Sequence, residues 1–190
     1  MKSTFRAVIL SGAFATLGFA MACGGGSQST VAPSPSTGPA SSPGTSPIAT
    51  DAALFKLLAQ IDPFGSYSLF PNADAILSGT PFHGPMDRVS MNAKAFAALQ
   101  NGKLPPGTRF PDGSVIFKEI ITNRGTTTTY SVLYKDAGNQ QAADGWLWAE
   151  FSPSGTVGYS INNRGAVCTS CHSAGQGATN DFVRTFERQH

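Results

Sequence analysis

Apolar side chains recur along this chain in two periods, and the change from one to the other outlines the folded part. Leu54, Leu57, Leu58 and Ile61 fall at helical spacing, with Asp51 able to cap the run and Pro63 to stop it. Residues 63–89 are rich in Pro, Gly, Asn and Asp and read as irregular. Ser90 can cap a second helix, with Met91, Ala95, Phe96 and Leu99 on one face and Asn101-Gly102 at its end. After Pro105-Pro106-Gly107 the period falls to two. The turns Pro111-Asp112-Gly113, Asn123-Arg124-Gly125 and Pro153-Ser154-Gly155, with the polar loop 136–144, separate four predicted strands: 114–121, 126–135, 145–151 and 156–161. Tyr130, Val132 and Tyr134 share one face of the second strand. Connections this short favour antiparallel neighbours, because parallel pairs need long crossovers. The expected fold of residues 51–190 is α+β: a mainly antiparallel sheet, small flanking helices, and a C-terminal segment after the last strand.

The stretch before residue 51 has neither period. Lys2 and Arg6 flank the start of an apolar and small-residue run, Ala7 to Ala20, too short to span a bilayer and suited to an export signal. Ala20-Met21-Ala22-Cys23 resembles a bacterial lipobox, in which Cys23 is lipidated and becomes the first mature residue. An ordinary signal cleaved nearby, with Cys23 an incidental thiol, is the alternative. The stretch that follows starts Gly24-Gly25-Gly26 and continues in Ser, Thr, Ala and Gly with Pro33, Pro35, Pro39, Pro43 and Pro47, without a charge. Such a composition predicts a disordered tether. Its prolines extend it by about 3.1 Å per residue, a reach of roughly 80 Å. The expected organisation is a leader, 1–22, a lipidated Cys with its tether, 23–50, and a domain, 51–190, held outside the cytoplasm on a bacterial membrane. Gly24 after Cys23, where Asp would argue for inner-membrane retention, favours the outer membrane.

Thirteen Lys and Arg face eleven Asp and Glu, and losing Lys2 and Arg6 with the leader leaves eleven of each. A near-neutral mature chain lacks the positive excess on which nucleic-acid affinity depends. It also lacks a polybasic stretch for anionic lipid. The chemistry is concentrated instead in Cys168-Thr169-Ser170-Cys171-His172, the pattern of c-type haem attachment. Two thiols spaced by two residues can form thioethers with the two vinyl groups on one haem edge. The His that follows is then placed to bind iron as an axial ligand. A disulfide leaves His172 unexplained, and a structural zinc usually needs four ligands. The expected cofactor is one covalent haem c.

The chain resembles the cytochrome P-460 family, which includes the cytochromes c′-beta. The resemblance spans residues 80–187. It rests on His83-Gly84 ahead of Asn92-Ala93-Lys94-Ala95, and on Phe110-Pro111-Asp112-Gly113-Ser114-Val115-Ile116 with Lys118-Glu119. It continues in Gly145-Trp146-Leu147-Trp148 and Gly155, and ends in Cys168 to His172 with Asp181-Phe182-Val183 and Thr185. The resemblance implies a mainly antiparallel β fold with a C-terminal c-type haem segment. It also implies a five-coordinate iron with His172 on one side and nitric oxide or hydroxylamine on the other. Relatives commonly pair as homodimers. Enzymatic members oxidise hydroxylamine and carry an extra bond from a Lys to the haem edge. Arg109 stands near where that Lys is expected, and a guanidinium is a poor nucleophile, which leaves Lys103 and Lys118 as alternatives to no cross-link.

Other side chains have two readings each. Glu150, on one strand face with Trp146 and Trp148, is either a distal proton carrier or a solvated strand end. Met86 and Met91 are either a sixth iron ligand or core, and the spacing of Met91 with Phe96 favours core. Lys118 reads as a solvated strand residue, His83 as a polar loop residue and His190 as a mobile terminus. The function expected is a lipid-anchored mono-haem cytochrome that binds or oxidises small nitrogen species. A membrane-tethered electron carrier serving a redox partner protein is the alternative.

Overall fold

A computed structural model of the chain describes residues 48–190. The predicted leader, Cys23 and nearly all of the tether lie outside the described residues. The first helix, α1 (Asp51–Lys56), is capped one residue earlier than predicted: Thr50 accepts from the Ala53 N–H through its hydroxyl, and Asp51 is the first helical residue. A π-helical turn, Leu57–Ile61, continues it.

Two short strands, β1 (Ser68–Leu69) and β2 (Leu77–Ser78), and a longer one, β3 (Met86–Met91), occupy the region read as irregular. The predicted second helix therefore begins too early in the sequence reading. Ser90 and Met91 belong to β3, and α2 (Ala93–Ala97) is capped by Asn92, whose side chain accepts from the Ala95 N–H. The same Asn92 oxygen accepts from the Val115 N–H, so helix and sheet share one cap. A run such as Val89-Ser90-Met91 fits either period, and pairing with a neighbouring strand decided it.

The predicted strands form β4 (Val115–Ile121), β5 (Thr127–Lys135), β6 (Trp146–Phe151) and β7 (Val157–Tyr159). All seven strands make one antiparallel sheet in the order β1-β3-β4-β5-β6-β7, with β2 pairing the other end of β3. The architecture is the expected α+β one. A four-residue helix, α3 (Thr169–His172), follows the sheet, and two 3₁₀ segments follow it.

Strand alternation divides the apolar residues between two faces. Val115, Phe117, Val132, Tyr134, Leu147, Ala149 and Phe151 pack with Leu54, Leu58 and Ile161 on one. Met91, Ile116, Leu133, Trp146 and Trp148 pack on the other against Phe110, Phe182, Val183 and Phe186, so the C-terminal segment closes that face.

One buried carboxylate holds this segment down. Asp181 is 1% exposed and accepts from Lys135 Nζ at 2.8 and 2.9 Å, from Arg109 at 2.9 Å and from the Phe110 N–H at 2.9 Å. Its own carbonyl accepts from Trp146 Nε1 at 2.8 Å. Lys135 is itself 3% exposed, so removing the carboxylate strands a buried ammonium. Breaking such a pair typically costs about 3–5 kcal/mol. Asp181→Asn is expected to lose stability on that scale in denaturant melts. Arg109→Ala, at a side chain 63% exposed, is expected to lose less than about 1 kcal/mol.

Candidate functional site

On the face closed by the C-terminal segment, three strands change character at one level. Along β4 the inward positions run Ile116, Lys118, Ile120; along β5 they run Leu133, Ser131; along β6 they run Trp146, Trp148, Glu150. Register brings the polar members together, since Val89 pairs with Lys118, Lys118 with Ser131, Ser131 with Glu150 and Glu150 with Tyr159. The next level is apolar: Met91, Ile116, Leu133 and Trp148. A polar row thus crosses the sheet face one level beyond an apolar one. Ser131 Oγ donates to Glu150 Oε1 at 2.5 Å within it.

The C-terminal segment brings His172 to this face. Its ring meets Trp148 edge to face, with centroids 4.9 Å apart. Its Nδ1 lies 2.8 Å from the Phe182 carbonyl. That carbonyl is aimed by an unusual backbone: Asp181 and Phe182 both have positive φ, 51° and 66°. Left-handed backbone at a Phe is strained, and persists where its surroundings over-determine it. Here the four hydrogen bonds to the Asp181 carboxylate and the Phe182 N–H donated to the Gly177 carbonyl do so. With Nδ1 donating to a carbonyl, Nε2 keeps the lone pair that binds metal, which is the usual arrangement for a ligating His.

Cys168 and Cys171 flank one turn of α3, and both are free thiols. Cys168 is half-buried beside Tyr159 and Glu150; burial, aided by Glu150, pushes its thiol pKa up. Cys171 is exposed, and its carbonyl accepts from Arg184, which is paired in turn with Glu187 at 2.7 Å. Burial lowers the His172 pKa against the opposing hydrogen bond that His172 donates to the Phe182 carbonyl. Among the described residues no group of three His, Cys, Asp or Glu side chains could hold a metal ion. Two thiols and one imidazole with a free nitrogen instead suit a haem bound at its edge and its iron.

Two residues read as solvent-facing belong to this site. Lys118 is largely buried, 4.0 Å from Asp87, and burial lowers its pKa while Asp87 opposes the shift. Its charge acts on both His83 and His172. His83 sits at the tip of the β2–β3 hairpin, its ring centroid 6.2 Å from that of His172. Its Nδ1 is buried without a hydrogen-bond partner. Burial, with help from Lys118, His172 and Arg188, lowers its pKa to about 4.

The remaining candidates fall elsewhere. Arg109 is spent on Asp181. Lys103 bridges back to Gln100 in the loop after α2. Met91 is fully buried in the apolar cluster, and Met86 is out of step with it, on the opposite face of β3. His190 pairs with Asp74 at 3.0 Å. Ser131 had no signal of its own in the sequence. Only the register that sets it between Lys118 and Glu150 reveals it.

The cytochrome P460 family model matches residues 72–185, more than half of the chain. None of the curated proteins matches it. The chain belongs to the cytochrome P460 family, whose members are haem cytochromes.

Gly177 offers a check on the geometry around His172. A Cβ at Gly177 would stand 1.8 Å from the His172 carbonyl oxygen, a backbone atom that cannot swing aside. Gly177→Ala is expected to cost about 1–3 kcal/mol, as forced overpacking does. It should also change the near-ultraviolet circular dichroism of Trp148, which a purely local loop adjustment would leave alone.

Proposed function

We propose that this cytochrome carries one haem, bound by thioethers from Cys168 and Cys171, with Nε2 of His172 as an axial ligand. The observation supporting it most is the state of His172. Its Nδ1 is committed to the Phe182 carbonyl, and it stands directly after two free thiols on the same turn. When bound, haem supplies an iron that takes up small molecules and exchanges electrons with them.

The ligand class we assign is small nitrogen species, nitric oxide or hydroxylamine, bound or oxidised opposite His172. The polar row on the sheet supports that assignment, because it sets Lys118, Ser131 and Glu150, each half-buried, side by side next to an apolar level that packs the C-terminal segment. Lys118 offers a hydrogen-bond donor to an electronegative ligand. Glu150, oriented by Ser131, offers a carboxylate that accepts or returns a proton. Burial also moves the Lys118 amine toward its uncharged, nucleophilic form. That makes Lys118, rather than Lys103, the residue for any Lys–haem bond.

Trypsin cuts after Arg164 and Arg184. The haem mass is therefore expected on the peptide 165–184, and replacing Cys168 and Cys171 by Ser should abolish haem staining after denaturation. Staining that survives the double replacement would sink the attachment. A second peptide containing Lys118 on the same haem marks the hydroxylamine-oxidising type, and a single peptide marks the binding type.

We propose also that the chain is exported and anchored through a lipid on Cys23, with residues 24–50 as its spacer. Its support is the apolar run ending in Ala20-Met21-Ala22-Cys23, followed by a charge-free, proline-rich stretch. In a bacterial host fed a labelled fatty acid, the full chain is expected to take up label and Cys23→Ser is not.

A further inference from the structure

The ion pair at Asp181 is fitted more closely than the anchoring of a chain end requires. Lys135 reaches it past Gly145, where φ is +83° and a Cβ would stand 2.9 Å from the Lys135 Nζ. The ammonium also lies over the Trp146 ring, 4.7 Å from its centroid, while Trp146 Nε1 donates to the Asp181 carbonyl. Lys135 and Trp146 are cross-strand partners on β5 and β6. One point on the sheet therefore grips both the carboxylate and the carbonyl of Asp181.

What this grip fixes is the direction of the next peptide. With Asp181 and Phe182 both at positive φ, the Phe182 N–H donates to the Gly177 carbonyl at 2.7 Å, and the Phe182 carbonyl accepts from His172 Nδ1 at 2.8 Å. A Phe without such restraint leaves the left-handed region, and its carbonyl then turns away from the imidazole. Gly177 closes the loop from the other side, packed against the His172 carbonyl too tightly for a Cβ. His172 is thus held twice by one loop, at its own carbonyl and at its ring. A hydrogen bond at Nδ1 makes an imidazole a stronger donor to metal at Nε2, and such bonds behind an axial ligand are a lever on iron potential.

We infer that Asp181 is a positioning residue for the haem iron: by holding the Phe182 carbonyl on His172 Nδ1, it strengthens the iron–His172 bond and lowers the midpoint potential. This role rests on the haem attachment proposed above and deepens it, and it leaves the opposite face of the iron open. The carboxylate itself stays with Lys135 and Arg109, so its effect on the iron passes through a peptide group. The segment has a second anchor for comparison. Arg188 is six residues past Phe182, and its side-chain bonds go to Asp87 and Ser78.

The test uses the full chain purified with its haem. Resonance Raman spectra of the ferrous form give the iron–His stretch, and redox titration gives the midpoint potential. Asp181→Asn combined with Lys135→Met removes one charge of each sign, so no buried charge is stranded and the net charge is unchanged. Its iron–His stretch is expected to fall and its potential to rise, the ferrous form gaining on the order of tenfold, about 59 mV for one electron. Arg188→Gln frees the other anchor and is expected to keep the wild-type stretch, whereas a merely structural role of Asp181 would lower it in both. Asp181→Glu keeps the carboxylate but moves it by one methylene. It is expected to fall between, and it serves where the double variant does not fold. Wild-type stretch and potential in the Asp181 variants, or an equal drop in Arg188→Gln, would overturn the role of Asp181. The potential is readable whatever the spin state of the iron. Haem staining after denaturation on the same samples separates the two proposals. Absent covalent haem removes the attachment, whereas covalent haem indifferent to Asp181 removes only the positioning role.

Discussion

The site depends on one buried carboxylate. Asp181 gathers two cations, a backbone N–H and, through its carbonyl, an indole onto a single residue. Each partner comes from a different part of the chain: the loop before β4, the end of β5 and the start of β6. The constraint is costly to break because Lys135 has no water to turn to. It also allows Asp181 and Phe182 to stay left-handed. That conformation points the Phe182 carbonyl at His172. The orientation of the candidate iron ligand is thus set about ten residues downstream of it, by an ion pair reaching across to the sheet.

The sheet supplies the opposite wall by register. Lys118, Ser131 and Glu150 are cross-strand neighbours one level beyond Ile116, Leu133 and Trp148. A slip of one residue on β5 would turn Ser131 to the other face and bring Tyr130 or Val132 into the row. The same face therefore serves two ends. Its apolar level packs the C-terminal segment, and from its polar level Lys118 acts on His172 and His83 while Glu150 acts on Cys168. Asp87, fully buried at a further level, takes Arg188 at 3.1 Å and ties down the far end of the chain. The segment is pinned at both ends, with the polar row between.

Much of this was legible in the sequence. The four C-terminal strands were read to within a residue or two, because their turns carry Gly after Asp, Arg or Ser and their apolar residues alternate. Trp146 and Trp148 as core or pocket wall also followed from alternation. The strand β3 was not legible, since its buried Asp87 and Ser90 break the apolar pattern, and the cations beside Asp87, Lys118 and Arg188, are distant in the chain. Lys118 was misread for a related reason. A lysine at an inward strand position looks solvated until Asp87 is known to lie near it. Arg109 was set beside the haem-edge position by its place in the chain, whereas its guanidinium turns to Asp181.

The sequence by itself determined the attachment pattern, Cys168-Thr169-Ser170-Cys171-His172, and the family it belongs to, because those depend on spacing along a few residues. It determined the antiparallel sheet as well, through local turn chemistry and short connections. Only the tertiary structure decided what shares the sheet face with His172. Lys118, Ser131, Glu150 and His83 come from four separate elements, and their placement depends on strand register and on a hairpin closed at Gly79 and Gly84. Register and loop closure are non-local, long-range pairings, so no window of the sequence contains them.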